Sequence, residues 1–345
     1  MSVGQPKRRG TMRYQRLFSL AIACAVVLGL AVGSAVAKSY KFRANTVGNK
    51  DSITYAGLEK FKELIESRSG GAINVKLFDS GALGDQVSGI ESMQAGTLAI
   101  ATVETPITTV DKMLGVTALP YIFRDREHVE TVMEGPIGEF IKARLGDKGL
   151  HVLGYMESGF RQITNNKRPI YKPSDLKGIK MRTPNSKLRV KIFNSYGANA
   201  SPLPFNELYT ALQTGVFDAQ ENPVIWVKTT KFYEVQDYLS ITNHLYTVTY
   251  LLMSQEKFQA LPKGLQLMME QAGADAAAYT VEVGRKAEGE IVDFLKGKGM
   301  KVNDANSAAF QKASTPLWDE WAAEQKDPKF TKQLIKTIST AGSGR

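Results

Sequence analysis

Apolar positions in the first hundred residues after the start of the globular part recur with two periods. Residues 40–46 read as a short strand. From 52 to 67, Ile53, Leu58, Phe61, Leu64 and Ile65 mark one face of a helix that Ser52 caps and Gly70-Gly71 ends. Residues 73–77 alternate as a strand does, 85–94 form a short helix stopped at Gly96, and 98–103 are a buried strand. This β-α-β-α-β order predicts an α/β fold with a mainly parallel sheet and helices on both faces. A helix over 126–144 and an apolar strand over 150–155 follow.

The pattern then starts a second unit at 161–165. Residues 179–181 form a short buried strand after the turn Asp175-Leu176-Lys177-Gly178, and Arg182 falls at its carboxyl end, where Thr183-Pro184 stops the ladder. Helices are expected over 186–196 and 205–213, a strand over 216–219, and a further helix opened by Glu221-Asn222-Pro223. Residues 246–253 are a long β-rich run placed to return to the first unit. From 264 to 295 apolar residues recur without a proline, giving a helix of roughly 46 Å at 1.5 Å per residue, long enough to run along two lobes. Residues 316–324, with Trp318 and Trp321, read as a packing helix, and 339–345 as a flexible tail.

Composition changes this picture little. Hydrophobic content of 43% with 23% charged residues is that of an ordinary soluble globular chain, and 345 residues suffice for two domains. The formal charge of +10 misleads, because Lys7, Arg8, Arg9, Arg13 and Arg16 all precede residue 38 and no acid accompanies them. The other basic residues form no patch interleaved with aromatics, so no nucleic-acid partner is expected. Residues 1–37 read as a secretory signal peptide: a basic start, an apolar run over 17–32 and the small-residue site Ala35-Val36-Ala37. Once it is removed at Lys38 the only cysteine, Cys24, is gone, so the exported chain has no disulfide or thiol chemistry.

Candidate chemistry is sparse. His128, His151 and His244 show no metal spacing, no phosphate loop follows a strand, and no Gly-x-Ser-x-Gly elbow occurs, so neither a metal nor a cofactor is expected. Asp218 and Glu221, three apart, could serve as acid and base in an exported hydrolase, or could cap a helix and pair with a basic neighbour. What remains is a binding protein with two lobes and arginines at strand ends. In α/β sheets ligands collect in the crevice outside those ends, and the rigid guanidinium fork of Arg182 matches a carboxylate.

A long ordered run then carries a resemblance. Gly178-x-Lys-x-Arg182-x-Pro184, Tyr196-Gly-Ala198, Pro202-x-Pro204, Glu207-x-Tyr209-x-Ala-Leu-Gln213-x-Gly215-x-x-Asp218-x-x-Glu-Asn-Pro223, Lys231-Phe-Tyr-Glu-Val235 and Thr242-Asn-His244 resemble the extracytoplasmic solute receptors of TRAP (tripartite ATP-independent periplasmic) transporters. Leu83-Gly84, Leu119-Pro-Tyr-Ile-Phe123 and Gly159-x-Arg161 match as well. The resemblance implies a two-lobed α/β clamp with a hinge and one long helix spanning both lobes. Lobe I is expected over 38–158 plus about 247–287, and lobe II over about 159–246 plus 288–338. It implies a monomeric periplasmic receptor, not an enzyme, that hands an organic acid to membrane permease subunits. An ATP-driven transporter's binding protein or a receptor-like sensor subunit would have a similar shape.

By the same likeness Arg182 takes the ligand carboxylate, Arg161 is a second arginine at that end, and Asn222 completes the carboxylate's shell. The residues alone leave open a structural ion pair for Arg161 and a helix cap for Asn222. In the first lobe Asn45 and Glu104 end strands at the expected crevice positions. A second ligand carboxylate near Glu104 would meet like charge, so a hydroxylated monocarboxylate such as a uronate is expected rather than a C4-dicarboxylate.

Overall fold

The computed structural model describes residues 1–4 and 39–342. The expected cleavage site at 35–37 and the apolar run before it lie outside these residues, as do 343–345. Strand β1 (Tyr40–Asn45), helix α1 (Ile53–Arg68), β2 (Ile73–Phe78), α2 (Gln86–Gln94) and β3 (Ile100–Val103) follow the expected alternation. Ser52 and Asp85 cap the two helices, their side chains accepting from the Tyr55 and Ser88 N–H groups. Strands β1 and β3 are parallel. The sheet is nevertheless mixed, because β9 (Tyr246–Ser254) returns and lies antiparallel between β3 and β4 (Leu150–Asn165). Periodicity over 40–103 carries no information about a neighbour 150 residues away in sequence.

Strand β4 is the frame of the molecule. The two short strands expected at 150–155 and 161–165 are one continuous strand of 16 residues. Its first part, to Phe160, pairs with β9. From Arg161 onward it lies between β7 (Ala219–Pro223) and β8 (Tyr238–Ile241), so one strand passes from the first sheet into the second. Gly159 makes the passage possible. It sits at a register shift with φ of 114°, a conformation that side chains with a Cβ rarely adopt. The second sheet is completed by β5 (Lys180–Thr183), β6 (Asn199–Pro202) and β10 (Lys301–Asp304). Strand β7 begins at Ala219, later than the expected 216–219, and it carries Glu221 and Asn222 inward as buried strand residues. Neither caps a helix: α7 (Val224–Thr229) opens after Pro223 with no side-chain cap.

The remaining helices pack around these sheets. The helix expected over 126–144 is broken at Gly135-Pro136 into α3 (Arg126–Met133) and α4 (Pro136–Gly146), proline taking the first helical position of the second. Helix α5 (Lys187–Ser195), capped by Ser186, and α6 (Leu208–Gln213) flank the second sheet, and α8 (Gln255–Gln259) follows β9. The long helix is α9 (Lys263–Gly297), 35 residues and roughly 52 Å. It lies so close to β4 that a Cβ on Gly273 would sit 2.3 Å from the Leu153 carbonyl oxygen. Replacing Gly273 with Ala adds helix propensity but forces the backbones apart, and overpacking of this kind costs ~1–3 kcal/mol. The G273A variant is therefore expected to melt several degrees lower with unchanged far-ultraviolet dichroism.

The chain ends differently from expectation. Helix α10 (Ser307–Ala323) starts well before residue 316 and carries Pro316 inside it. An unanticipated helix α11 (Pro328–Thr340) includes Ser339 and Thr340 of the expected flexible tail. Its last turn is fastened to the start of α3. Arg124 donates to the Ser339 and Ala341 carbonyls at 2.8 and 2.7 Å, and His128 Nε2 lies 2.7 Å from the Ile338 carbonyl. The end of the segment expected in lobe II thus packs against residues 124 and 128, which satisfy helix-end carbonyls that are otherwise unpaired. Among the described residues no helix is long and apolar enough to cross a membrane.

Candidate functional site

Strand β5 delivers Arg182 to the edge of the second sheet, and Thr183-Pro184 turns the chain away behind it. Arg182 is 2% exposed. Its Nε and Nη2 both donate to the Leu203 carbonyl, at 2.8 and 2.6 Å, because the Thr183 carbonyl accepts from the Leu203 N–H and draws that segment over the strand end. The Phe205 ring centroid lies 5.9 Å from Cζ. Among the described residues no carboxylate oxygen lies within 4.0 Å of this guanidinium. Burial pushes its pKa down to about 9; Glu221 opposes the fall, and Arg161 and Arg189 add to it.

The neighbouring charges are, by contrast, closely matched. Arg161, at the point where β4 enters the second sheet, donates through Nε and Nη2 to the Glu221 carboxylate, through Nη2 to Asn222 Oδ1 at 2.8 Å and through Nη1 to Thr247 Oγ1 at 3.2 Å. Arg189 reaches the same carboxylate from α5, its Nη1 lying 2.8 Å from each oxygen. His244 Nε2 is 3.2 Å from Glu221 Oε2, and its Nδ1 is 2.8 Å from Thr242 Oγ1. A neutral ring that donates to Glu221 and accepts from Thr242 satisfies both contacts, and burial does hold His244 below its ordinary pKa. Burial alone would push the Glu221 carboxyl up. Arg161, then Arg189, then the bond from His244 outweigh it and hold the group well below the usual carboxylate range.

The facing wall comes from the end of the first sheet. Glu104 follows β3 and is 8% exposed. Its Oε1 accepts from Thr249 Oγ1 at 3.0 Å, its Oε2 lies 3.9 Å from Arg161 Nη1, and its N–H donates to Gln86 Oε1 at 2.6 Å. Burial raises its carboxyl above the ordinary value, with Arg161 opposing. Glu104, Arg161, Arg182, Asn222, Phe205 and Gln86 line one cavity of about 20 Å³. That holds about one water molecule, whereas small-molecule sites span roughly 300 Å³ or more. The walls are closed on each other and must part to take an organic acid.

Four of the five site residues expected from the sequence therefore meet, and Asn45 does not. It ends β1 as expected, but its amide donates to the Gly84 carbonyl at 3.1 Å and accepts from the Leu83 N–H at 3.3 Å, bracing the 81–84 turn. Of the other four, Arg161 is committed to an internal ion pair. Asn222 gives one N–H to Gln220 Oε1 at 2.5 Å and keeps a second. Asp218, weighed as an acid–base partner of Glu221, instead lies 3.2 Å from Lys167 Nζ. Of the aromatics at the crevice, Phe205 lines the cavity, while the Trp226 Nε1–H is bonded to Ser158 Oγ at 2.8 Å. The residues that sequence reasoning missed are Arg189, Gln86 and the partnership of His244 with Glu221. Arg189 gave no usable signal, since one basic residue in an amphipathic helix reads as a solvated charge. Among the described residues no group of side chains could hold a metal ion.

A closed cleft between two sheets that share a strand, floored by buried arginines, defines a two-lobed solute-binding clamp of the periplasmic type. The chain belongs to the bacterial extracellular solute-binding protein family 7, the receptors of TRAP transporters, whose sequence profile matches residues 44–325. It is 32% identical to the 2,3-diketo-L-gulonate-binding periplasmic protein YiaO of Escherichia coli over 300 residues, 86% of this chain and 91% of that one. It superposes on a TRAP periplasmic solute binding protein from Polaromonas bound to D-erythronate with a TM-score of 0.85, at 31% identity, covering 88% and 99% of the two chains. The sugar acid binding protein of Advenella mimigardefordensis in complex with galactonate gives a TM-score of 0.84 at 34% identity, covering 88% and 98%. The family is a class of receptors that bind small acids and work with membrane permease components.

Proposed function

We propose that this chain is a receptor for a sugar acid, that Arg182 is the anchor for its carboxylate, and that it passes the ligand to a TRAP-type permease without chemical change. One observation carries the reading: Arg182 is a buried guanidinium without an anion among the described residues, beside two arginines that already share the Glu221 carboxylate as their partner. A buried charge is stable only when paired and hydrogen-bonded, and a ligand carboxylate supplies both. Its two oxygens fit the free Nη1 side of the fork and the spare N–H of Asn222. Arg161 acts at one remove, by field and by holding Asn222. Glu104 and Gln86 are placed to bond ligand hydroxyls, and Asn45 supports the turn behind them. The names of the relatives, which bind diketogulonate, erythronate and galactonate, point to the same ligand class.

On this reading the lobes hinge near Gly159, with lobe I over 38–158 and about 247–287, lobe II over about 159–246 and the segment from 288, and α11 returning to lobe I. The receptor acts as a monomer in the periplasm. A thermal-shift screen of aldonates, uronates and C4-dicarboxylates tests the function. A ligand at a hundredfold excess over Kd stabilises by about 2.7 kcal/mol, so a sugar acid is expected to raise Tm by several degrees while neutral sugars leave it unchanged. Stabilisation by neutral sugars alone contradicts the reading. Export is tested separately: the intact mass of periplasmic protein is expected to match a chain beginning at Lys38. A mass that retains any of the residues before Lys38 overturns that part.

A further inference from the structure

The cleft holds more buried charge than the sequence motif suggested. Arg161, Arg182 and Arg189 are each 2% exposed or less, and Glu221 and Glu104 are buried among them. Glu221 contacts both Arg161 and Arg189. Glu104 lies 3.9 Å from Arg161 across the cavity. Among these buried groups, with both carboxylates ionised and His244 neutral, three guanidiniums against two carboxylates leave one positive charge; Asp85, which also lines the cavity, accepts from the Ser88 N–H at 2.8 Å as the cap of α2. Arg189 matters here because it lies behind the cavity wall: it contributes charge without offering a ligand contact, and its Nη2 is held 3.3 Å from Thr105 Oγ1.

We propose that Glu221 and Glu104, set against Arg161, Arg182 and Arg189, are the residues that fix the valence of the ligand, so that the receptor takes a monoanion and rejects the diacid of the same carbon skeleton. The inference rests on the sugar-acid reading above and deepens it. Counting arginines alone would suggest a site for a dianion or trianion. The position of the carboxylates reverses that. Glu221 takes up two guanidiniums, and Glu104, which lines the same cavity as the anchor, presents a negative wall to the part of a bound acid that extends beyond Arg182. A second ligand carboxylate there loses its water and faces like charge, whereas a hydroxymethyl group in the same place donates to Glu104.

The test compares acids that differ only at that far end. Galactonate, gluconate and erythronate are titrated calorimetrically at pH 8 against galactarate, glucarate and meso-tartrate, the diacids of the same skeletons. Wild type is expected to bind its best monoacid roughly a hundredfold more tightly than the matching diacid. Glu104→Gln keeps an acceptor for Thr249 while removing one negative charge, and it should narrow that ratio at least tenfold by gain of diacid affinity. Glu221→Gln removes a charge at the other wall and should move the ratio the same way. Should that variant fail to fold, Glu104→Gln alone decides. A wild-type receptor that binds diacid and monoacid equally, or a Glu104→Gln ratio unchanged from wild type, overturns the valence proposal and leaves the receptor reading intact. Binding of no acid at all overturns both.

Discussion

Arg182→Lys is expected to lose between roughly thirtyfold and several thousandfold in affinity for the best acid ligand while melting near wild type without it. The lysine keeps a positive charge but offers a point ammonium in place of a planar fork. In the wild type one side of that fork is already spent, Nε and Nη2 sharing the Leu203 carbonyl at 2.8 and 2.6 Å. A single ammonium must choose between Leu203 and the ligand, whereas the wild-type fork holds both at once. Depriving a desolvated anion of its partner costs ~2–5 kcal/mol, which converts to the fold-changes above at 1.4 kcal/mol per decade. Ligand-free stability is expected to hold because Arg182 has no internal ion pair among the described residues, so no carboxylate is left unpaired by its loss. Calorimetric affinity and the ligand-free Tm check the two halves. A lysine variant that binds within threefold of wild type would show the anchor to be elsewhere.

Glu221→Ala has the opposite signature, a stability defect in the absence of ligand. Its carboxylate is the shared partner of Arg161 and Arg189 and an acceptor for His244. Removing it leaves two buried guanidiniums facing each other, and breaking buried pairs in this one-sided way costs ~3–5 kcal/mol. For a chain of about 300 residues that is a fall in Tm of about 5–8 °C. The pH dependence follows from the direction of the shifts. The Glu221 carboxyl is held below its ordinary value of 4.5 in the folded state, so its contribution is complete above that value and is lost as pH falls through the folded one. His244 is also depressed, from 6.5, so its contribution is complete above about that pH and declines below it as the unfolded chain takes up the proton. Wild type should therefore lose stability in two stages on acidification, and Glu221→Ala should lack the more acidic stage. A variant that melts like wild type at neutral pH would mean that Glu221 is not the keystone of the charge cluster.

The sequence was most legible where local rules and tertiary structure agree. The long helix was readable because an apolar stripe continues without a proline from residue 264 to 295, and it extends over Lys263–Gly297. The place of Arg182 was readable because a buried strand ends there at Thr183-Pro184. Strand β4 was not, since Gly154 and Gly159 interrupt its pattern like strand ends, whereas in the fold Gly159 carries one strand between two sheets. Asn45 shows the limit at the level of a side chain. The pattern places its backbone at the end of β1, but whether its amide faces a ligand or a turn depends on residues 83 and 84, which only the fold brings near. Arg189 is the reverse case, an unremarkable helix residue whose burial is decided by Glu221, 32 positions later in the chain.

Recognition of a carboxylate is the property that the proposed role of the cleft requires. The direct test is a calorimetric titration of the mature receptor with its best sugar acid and with the methyl ester of that acid, which keeps every hydroxyl and removes only the charge. One-to-one binding of the acid, with the ester weaker by roughly thirtyfold or more, is the predicted result. An ester that binds within threefold of the acid would contradict it.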